Sequence, residues 1–285
     1  MNILSIQSWV AYGHVGNAAA LFPLQRLGAE VWAVNTINFS NHPGYGDWTG
    51  RAFGGADIAD IVQGVERRGA FSRCDAVLSG YMGDGSVAGV VLDSVARVRT
   101  ANPVALYCCD PVIGDAGRVY VRDGIPELIE RLFVPAADIL TPNQFELERL
   151  TGQDCRTETG IRTAIAALRH RMRPDGPGAV LLTSAQTDAT PHDALDIIAA
   201  DANATTALRL PKLDVATSGA GDAMAALFLF HYLKHRDASV AMQEAAASIH
   251  GILRRTQLEG ARDLALIQAQ DEIVAPSRRF SPRIF

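Results

Sequence analysis

Short apolar runs rich in β-branched residues recur near 2–7, 31–37, 75–79, 104–109, 137–141, 179–183, 194–199 and 205–210. Between them the apolar spacing predicts helices over 16–27, 57–69, 86–100, 124–133, 143–151 and 159–172. Three more helices are expected near 222–235, 238–256 and 261–272. Strands alternating with helices imply an α/β fold, with a mostly parallel sheet covered on both faces. The close pair at 194–210 breaks the alternation and reads as an antiparallel hairpin near one edge. No Pro/Gly/Ser-rich linker or internal repeat divides the chain, so one domain over 1–285 is the expectation.

Composition narrows the function classes. A formal net charge of −5 without a basic cluster argues against nucleic acid or an anionic membrane surface as partner. No apolar run approaches the ~20 residues that span a bilayer. The first residues, Met1-Asn-Ile-Leu-Ser-Ile6, read as a strand rather than a leader, so cytoplasmic residence is expected. Cys74, Cys108, Cys109 and Cys155 lack C-x-x-C spacing, which favours buried thiols over a zinc site or disulfides. The only lysines are Lys212 and Lys234, and neither follows a glycine loop, which excludes a P-loop.

Polar residues gather where strands end: Gln7-Ser8, Asn38 to Asn41, Ser79-Gly-Tyr81, Asp110, Thr141-Pro-Asn143 and Thr183-Ser184. Ligands of open α/β sheets bind outside these carboxyl ends, so the six ends outline one cleft. The segment Asp214-Val-Ala-Thr-Ser-Gly-Ala-Gly-Asp222 opens an apolar helix. Its first-turn N–H groups and dipole make an anion site that Gly219 and Gly221 leave open to close approach. Asp222 in such a place is either a general base or a helix-start decoration, and the motif alone weighs the two evenly. Asp110, Asp115 and Glu146 could act on a triphosphate through Mg2+, although a turn role suits Asp110 equally and a helix-start role leads for Glu146 taken alone. The aromatic pair in Phe39-Ser-Asn-His-Pro-Gly-Tyr45 suits a flat heteroaromatic ligand.

These pieces, in order, resemble the pyridoxal kinases of the ribokinase-like superfamily from Ile3 to about Leu264. The matching elements are Ile6-Gln-Ser8, Gly13-His-Val-Gly-Asn17, Phe39-Ser-Asn-His42 and Leu78-Ser-Gly-Tyr81. Cys109-Asp-Pro-Val112, Thr141-Pro-Asn-Gln-Phe-Glu146 and Ser218-Gly-Ala-Gly-Asp222 complete the set. The resemblance implies a three-layer α/β/α sandwich and ATP-dependent phosphorylation of the 5′-hydroxymethyl of pyridoxal, with pyridoxine and pyridoxamine as further substrates. It implies Asp222 as general base, and Gly219, Ala220 and Gly221 as the N–H cradle of the moving phosphoryl. Ser8, Val15, Phe39, His42, Pro43, Gly44 and Tyr81 would line the pyridine site. Asp110, Asp115 and Glu146 would lie along the Mg2+–triphosphate path. Thr141, Asn143, Thr183 and Ser184 would meet phosphates or a monovalent cation such as K+. The stretch from Leu210 through Pro211, Lys212 and Leu213 to Ser218 would cover adenine and ribose. A homodimer is implied as well.

Two positions depart from the family pattern: Trp9 replaces a histidine and Pro43 a threonine, both on the vitamer side. The segment Ala116-Gly-Arg-Val-Tyr120 is short, as for a compact flap over ATP. Two other readings compete. Hydroxymethylpyrimidine kinases carry a Gly-Gly-Ala-Gly-Ile-Gln-Ala-Asp stretch after the first strand, where this chain has Gly13-His-Val-Gly-Asn-Ala-Ala-Ala20. A vitamer sensor with little turnover is the other, motivated by Trp9 and Pro43.

Overall fold

The computed structural model describes residues 1–285. The chain starts β1 (Asn2–Val10), α1 (Asn17–Arg26), β2 (Glu30–Phe39), β3 (Gly50–Ala52), α2 (Gly55–Glu66), β4 (Ala76–Ser79), α3 (Val87–Ala101) and β5 (Leu106–Cys109). Next come β6 (Gly114–Asp115), β7 (Arg118–Val119), α4 (Ile125–Leu128), α5 (Val134–Ala136), β8 (Ile139–Leu140), α6 (Gln144–Thr151) and α7 (Glu158–Arg171). The last part holds β9 (Ala179–Ala185), β10 (Ala194–Ala200), β11 (Thr205–Pro211), α8 (Ala220–His235), α9 (Ala238–Glu259), α10 (Gln270–Val274) and β12 (Arg283–Ile284).

Ten strands form one sheet in the order β12-β11-β10-β9-β8-β5-β4-β1-β2-β3. The strands from β9 to β2 in that order pair in parallel, and the edges pair antiparallel. The β10–β11 pair is the antiparallel hairpin expected from the sequence. Alternate strand residues face two layers, as the two-residue period requires. Leu4, Ile6, Val77, Val180 and Leu182 point into one core. Ile3, Ala76, Leu78, Ala179 and Leu181 point into the other, against α1, α8 and α9. The result is the expected three-layer α/β/α sandwich. Strand order reverses at β1, which lies between β2 and β4, so the crevice belongs beyond their carboxyl ends.

Helix α8 differs from the other helices in being sheathed on every side: all residues from Ala223 to Leu233 are buried. A helix apolar all round belongs in a core rather than on a surface. Its first turn, and with it Asp222, is therefore held by the whole layer.

The sequence expectation of a helix over 261–272 needs correction. Helix α9 runs on to Glu259 and stops at Gly260, which is left-handed at φ 59. The Gly260 N–H donates to the Gln257 carbonyl at 3.1 Å and the Ala261 N–H to the Thr256 carbonyl at 3.1 Å. That pair of bonds is a Schellman stop. The Thr256 hydroxyl then accepts the Ala265 N–H at 3.0 Å, so 261–269 folds as turns and only Gln270–Val274 is helical. The turns send Arg262 and Asp263 back toward the cleft.

Candidate active site

Gly219 is the N-cap of α8 at φ 88, and its carbonyl accepts the first helical bond from Ala223 at 3.0 Å. A Cβ at this position would fall inside the carbonyl oxygen of His14. The start of α8 and the loop after β1 are therefore in backbone contact. No backbone carbonyl takes the N–H groups of Ala220 and Gly221, and the space beside Gly221 is open. These are the orphan donors that an anion would occupy.

Asp222 sits at the third helical position and is only partly exposed. Burial pushes its carboxyl up to about 6, against hydrogen bonds from the Gly16 N–H and its own N–H that pull it down. Gly16 in turn backs onto Ser8, whose hydroxyl and carbonyl leave no room for a Cβ. Ser8 lies where the β1–β2 register slips between Gln7 and Trp9. Ser8, Gly16 and Asp222 thus form one wall.

The residues expected around a pyridine ring arrive on the segment after β2. His42 caps a 3-10 turn, Pro43–Tyr45, with Nδ1 accepting the Gly44 N–H at 3.1 Å. The Ser218 hydroxyl lies 3.4 Å from the same nitrogen, which brings this turn against the loop leading into α8. Burial lowers His42 below its ordinary value, with Asp263 acting upward and Arg262 downward. A neutral ring with Nδ1 accepting carries its proton on Nε2, a donor for a ligand. Pro43 opens the turn, where its fixed φ suits the first helical position and its missing N–H is not needed. Phe39 closes β2 and packs at 6.2 Å from Trp48. Tyr81 is half-buried, and its carbonyl takes the Thr36 hydroxyl at 2.7 Å.

On the other side of Asp222 lies an acidic cluster. Asp110 is 8% exposed. Burial raises its carboxyl strongly, the charges of Glu146 and Asp222 add to this, and a 2.9 Å bond from the Thr141 hydroxyl opposes it. Glu146 is pushed up to about 7 by burial despite accepting N–H bonds from Ile113, Asn143 and Gly114. Those bonds are 2.9, 3.0 and 3.4 Å long. They leave about one of a carboxylate's four accepting directions free. Asn143 completes a capping box by accepting the Glu146 N–H at 2.9 Å. Asp115 is exposed in the β6–β7 hairpin, where its carboxylate takes the Ala116 N–H at 2.8 Å.

No group of three or more His, Cys, Asp or Glu side chains is arranged to hold a metal by itself. Mg2+ does not need one, because it keeps several waters and binds through one or two carboxylates and substrate phosphates. The carboxyls of Asp110 and Glu146, raised by burial, with the Glu146 charge adding to Asp110 and the Asp115 charge adding to Glu146, fit such a partly hydrated cation. Thr183 joins the same floor, its N–H donating to the Pro142 carbonyl at 3.0 Å, and exposed Ser184 follows it. Leu210, Pro211, Lys212 and Leu213 leave the end of β11, with the Lys212 N–H donating to the Asp193 carbonyl at 2.7 Å. No hydrogen bond joins those four residues to Asp222 or the acidic cluster.

Three features escape the sequence reading. Tyr120 follows the hairpin, and burial, then the charges of Glu146, Asp110, Asp222 and Asp115, raise its phenol. The Gly-Arg-Val-Tyr120 run after Asp115 was the available signal. Tyr45 is not a free stacking platform, because Arg262 lies over its ring at 3.7 Å. Arg262 and Asp263 had no signal at all, since they fell in an expected helix.

Unpaired N–H groups at a helix start, a carboxyl raised by burial beside them and a cluster of acidic side chains, set on a ribokinase-like sandwich, are features of a kinase. A family model described as phosphomethylpyrimidine kinase matches residues 69–263. A curated relative, pyridoxal kinase PdxY of Granulibacter bethesdensis, is 56% identical over 285 residues, covering 100% of both chains. The pyridoxal kinase of Leishmania donovani in complex with ADP and ginkgotoxin superposes with a TM-score of 0.90 at 28% identity, over 100% of this chain and 99% of that one. The same Leishmania donovani enzyme in complex with ADP and pyridoxamine gives 0.88 at 28% identity, over 99% of each chain. The chain belongs to the pyridoxal kinase family.

Proposed function

We propose that this chain transfers the γ-phosphoryl of ATP to the 5′-hydroxymethyl of pyridoxal, giving pyridoxal 5′-phosphate and ADP. The observation that carries the proposal is Asp222, a partly buried carboxyl poised near 6 beside the free N–H groups of Ala220 and Gly221. The acceptor hydroxyl lies against Asp222, and its oxygen bonds to the γ-phosphorus as the bond to the β–γ bridging oxygen breaks. Asp222 takes the hydroxyl proton and the bridging oxygen leaves on ADP. The Ala220 and Gly221 N–H groups meet charge on the transferring phosphoryl, and positioning with electrostatics is most of what such chemistry requires. Mg2+, held near Asp110 and Glu146, would neutralise phosphate charge. His42, Ser8 and Val15 form the vitamer wall, and Thr141, Asn143, Thr183 and Ser184 meet phosphates or K+. The homodimer and the adenine role of 210–213 belong to the same reading.

Purified protein with Mg-ATP and pyridoxal is expected to release ADP, and hydroxymethylpyrimidine in its place is expected to release little. The second arm matters because the matched family model carries a pyrimidine kinase name. Faster turnover with the pyrimidine would overturn the assignment.

The pH profile follows from Asp222. Only its ionised form accepts a proton, so kcat/KM for pyridoxal should rise with pH on a limb centred near 6. A profile flat from pH 5 to 7 would remove Asp222 as base.

Pro43→Thr tests the departure on the vitamer side. It restores a hydroxyl at the turn's first position and is expected to lower the pyridoxal KM, while an unchanged KM would show that the hydroxyl is not missed.

A further inference from the structure

The turn that brings His42, Pro43 and Gly44 to the cleft is bound to a segment far away in sequence. The Tyr45 hydroxyl donates to Asp263 Oδ2 at 2.5 Å, across 218 residues. Arg262 lies over the Tyr45 ring at 3.7 Å and donates from Nη2 to the Gly44 carbonyl at 2.5 Å. Asp263 also abuts Gly13, where a Cβ would collide with its carboxylate, and Tyr12 meets Tyr45 edge-on at 5.9 Å. The acceptance by Asp263 pushes the Tyr45 phenol up to about 12, so the bond persists at any physiological pH. None of these four side chains is used by the phosphoryl-transfer steps.

We infer that Tyr45, Arg262 and Asp263 form a latch that positions the 42–44 turn over the acceptor, making Arg262 and Asp263 specificity-determining residues for the pyridine substrate. The inference rests on the reading of the cleft as a pyridoxal site.

Three physical points support it. The turn itself is short and holds few bonds of its own: Tyr45 N–H to the His42 carbonyl, Gly46 N–H to the Pro43 carbonyl, and the His42 cap. Pro43 and Gly44 are exposed, so apolar burial does not fix them. The latch supplies two charge-assisted bonds and one cation–π contact, each typically worth more than a neutral surface contact. It also acts on the right part of the reaction. The latch holds the turn and meets the loop after β1 at Tyr12 and Gly13, whereas the Ala220 and Gly221 N–H groups stand on α8 and the acidic cluster on the end of β5, the β6–β7 hairpin and α6. Loosening it should therefore cost acceptor binding and leave ATP handling intact.

The latch also accounts for the position of Pro43. A proline there gives up the hydroxyl but fixes the backbone of a turn that Arg262 and Asp263 then clamp.

The test uses the full chain and the variants Tyr45→Phe, Asp263→Ala and the double variant. Each single change is expected to raise the pyridoxal KM roughly five- to tenfold, with kcat and the ATP KM within about twofold. The double variant should be no worse than the more severe single one, because both remove the same bond. Amide exchange at 42–46 should accelerate in all three while exchange along α8 stays as in the parent. An unchanged pyridoxal KM, a parallel fall of kcat and ATP affinity, or additive effects in the double variant would each overturn the latch. Failure of the functional reading looks different: the parent itself would release no ADP with pyridoxal. The exchange at 42–46 would still decide whether the latch holds the turn, and unchanged exchange would refute it.

Discussion

Asp222→Asn is expected to lower pyridoxal-dependent ADP release by a factor of about 10³ while ATP still binds and the protein becomes more stable. The loss of rate follows from removing the proton acceptor, since general-base groups contribute about 10²–10⁴. The gain in stability follows from the sign of the pKa shift. Folding raises the Asp222 carboxyl from 3.8 to about 6, so the folded state disfavours its charge. Below the unfolded value the group is protonated in both states and costs nothing. The penalty grows as pH rises through the folded value and is complete above it. Asn carries no such charge, and it also relieves the repulsion that helps raise Asp110. With a discount for its partial exposure, the variant should be roughly 1–2 kcal/mol more stable at pH 8, and the advantage should vanish by about pH 3. Urea unfolding at the two pH values, beside ATP titration and turnover, checks all three parts. A variant that keeps its turnover, or loses stability at pH 8, would contradict the assignment.

Two glycines three positions or fewer from that aspartate should respond in opposite ways. Gly219→Ala forces a left-handed residue at φ 88 and drives its Cβ into the His14 carbonyl. The conformational cost is about 1–2 kcal/mol, and displacing a backbone that cannot yield adds more, for a total of roughly 2–4 kcal/mol. Because the collision separates α8 from the loop that carries Gly16, turnover should fall about 10²-fold as well. Gly221 has no positive φ and open space beside it. Gly221→Ala should therefore stabilise the helix by about 0.5–1 kcal/mol. Its methyl stands where the phosphoryl must pass, so kcat should drop although the fold gains. Thermal unfolding and steady-state kinetics on the pair give the answer, and stability changes of the same sign in both would refute it.

The parallel strands were legible because each is an apolar run ending in polar residues that a turn alone does not explain. The same ends carry most of the candidate cleft: Asp110 and Thr141 directly follow β5 and β8, while Ser8 and Thr183 stand within the last three residues of β1 and β9. Two-residue strands such as β6, β7 and β12 carry no period to read, and their pairing is decided by what lies opposite. The antiparallel β3 fails for the same reason. The helix expected at 261–272 contains a short apolar run, Leu264, Ala265 and Leu266, which is buried. Spacing could not reveal that Gly260 would end α9 or that the Thr256 hydroxyl would claim the Ala265 N–H. The link between Tyr45 and Asp263 is beyond any local pattern, since its partners meet only after the sheet has closed.

The burial of α8 on every side has a mechanical consequence. A base carried on a loop can drift while the rest of the molecule stays folded, but Asp222 stands at the end of a rod clamped along its length. Its freedom is that of the layer, so heat should take away catalysis and global structure in a single step. Core substitutions around Phe228 or Leu227 would then alter turnover from well outside the cleft, by tilting the rod rather than touching the substrate.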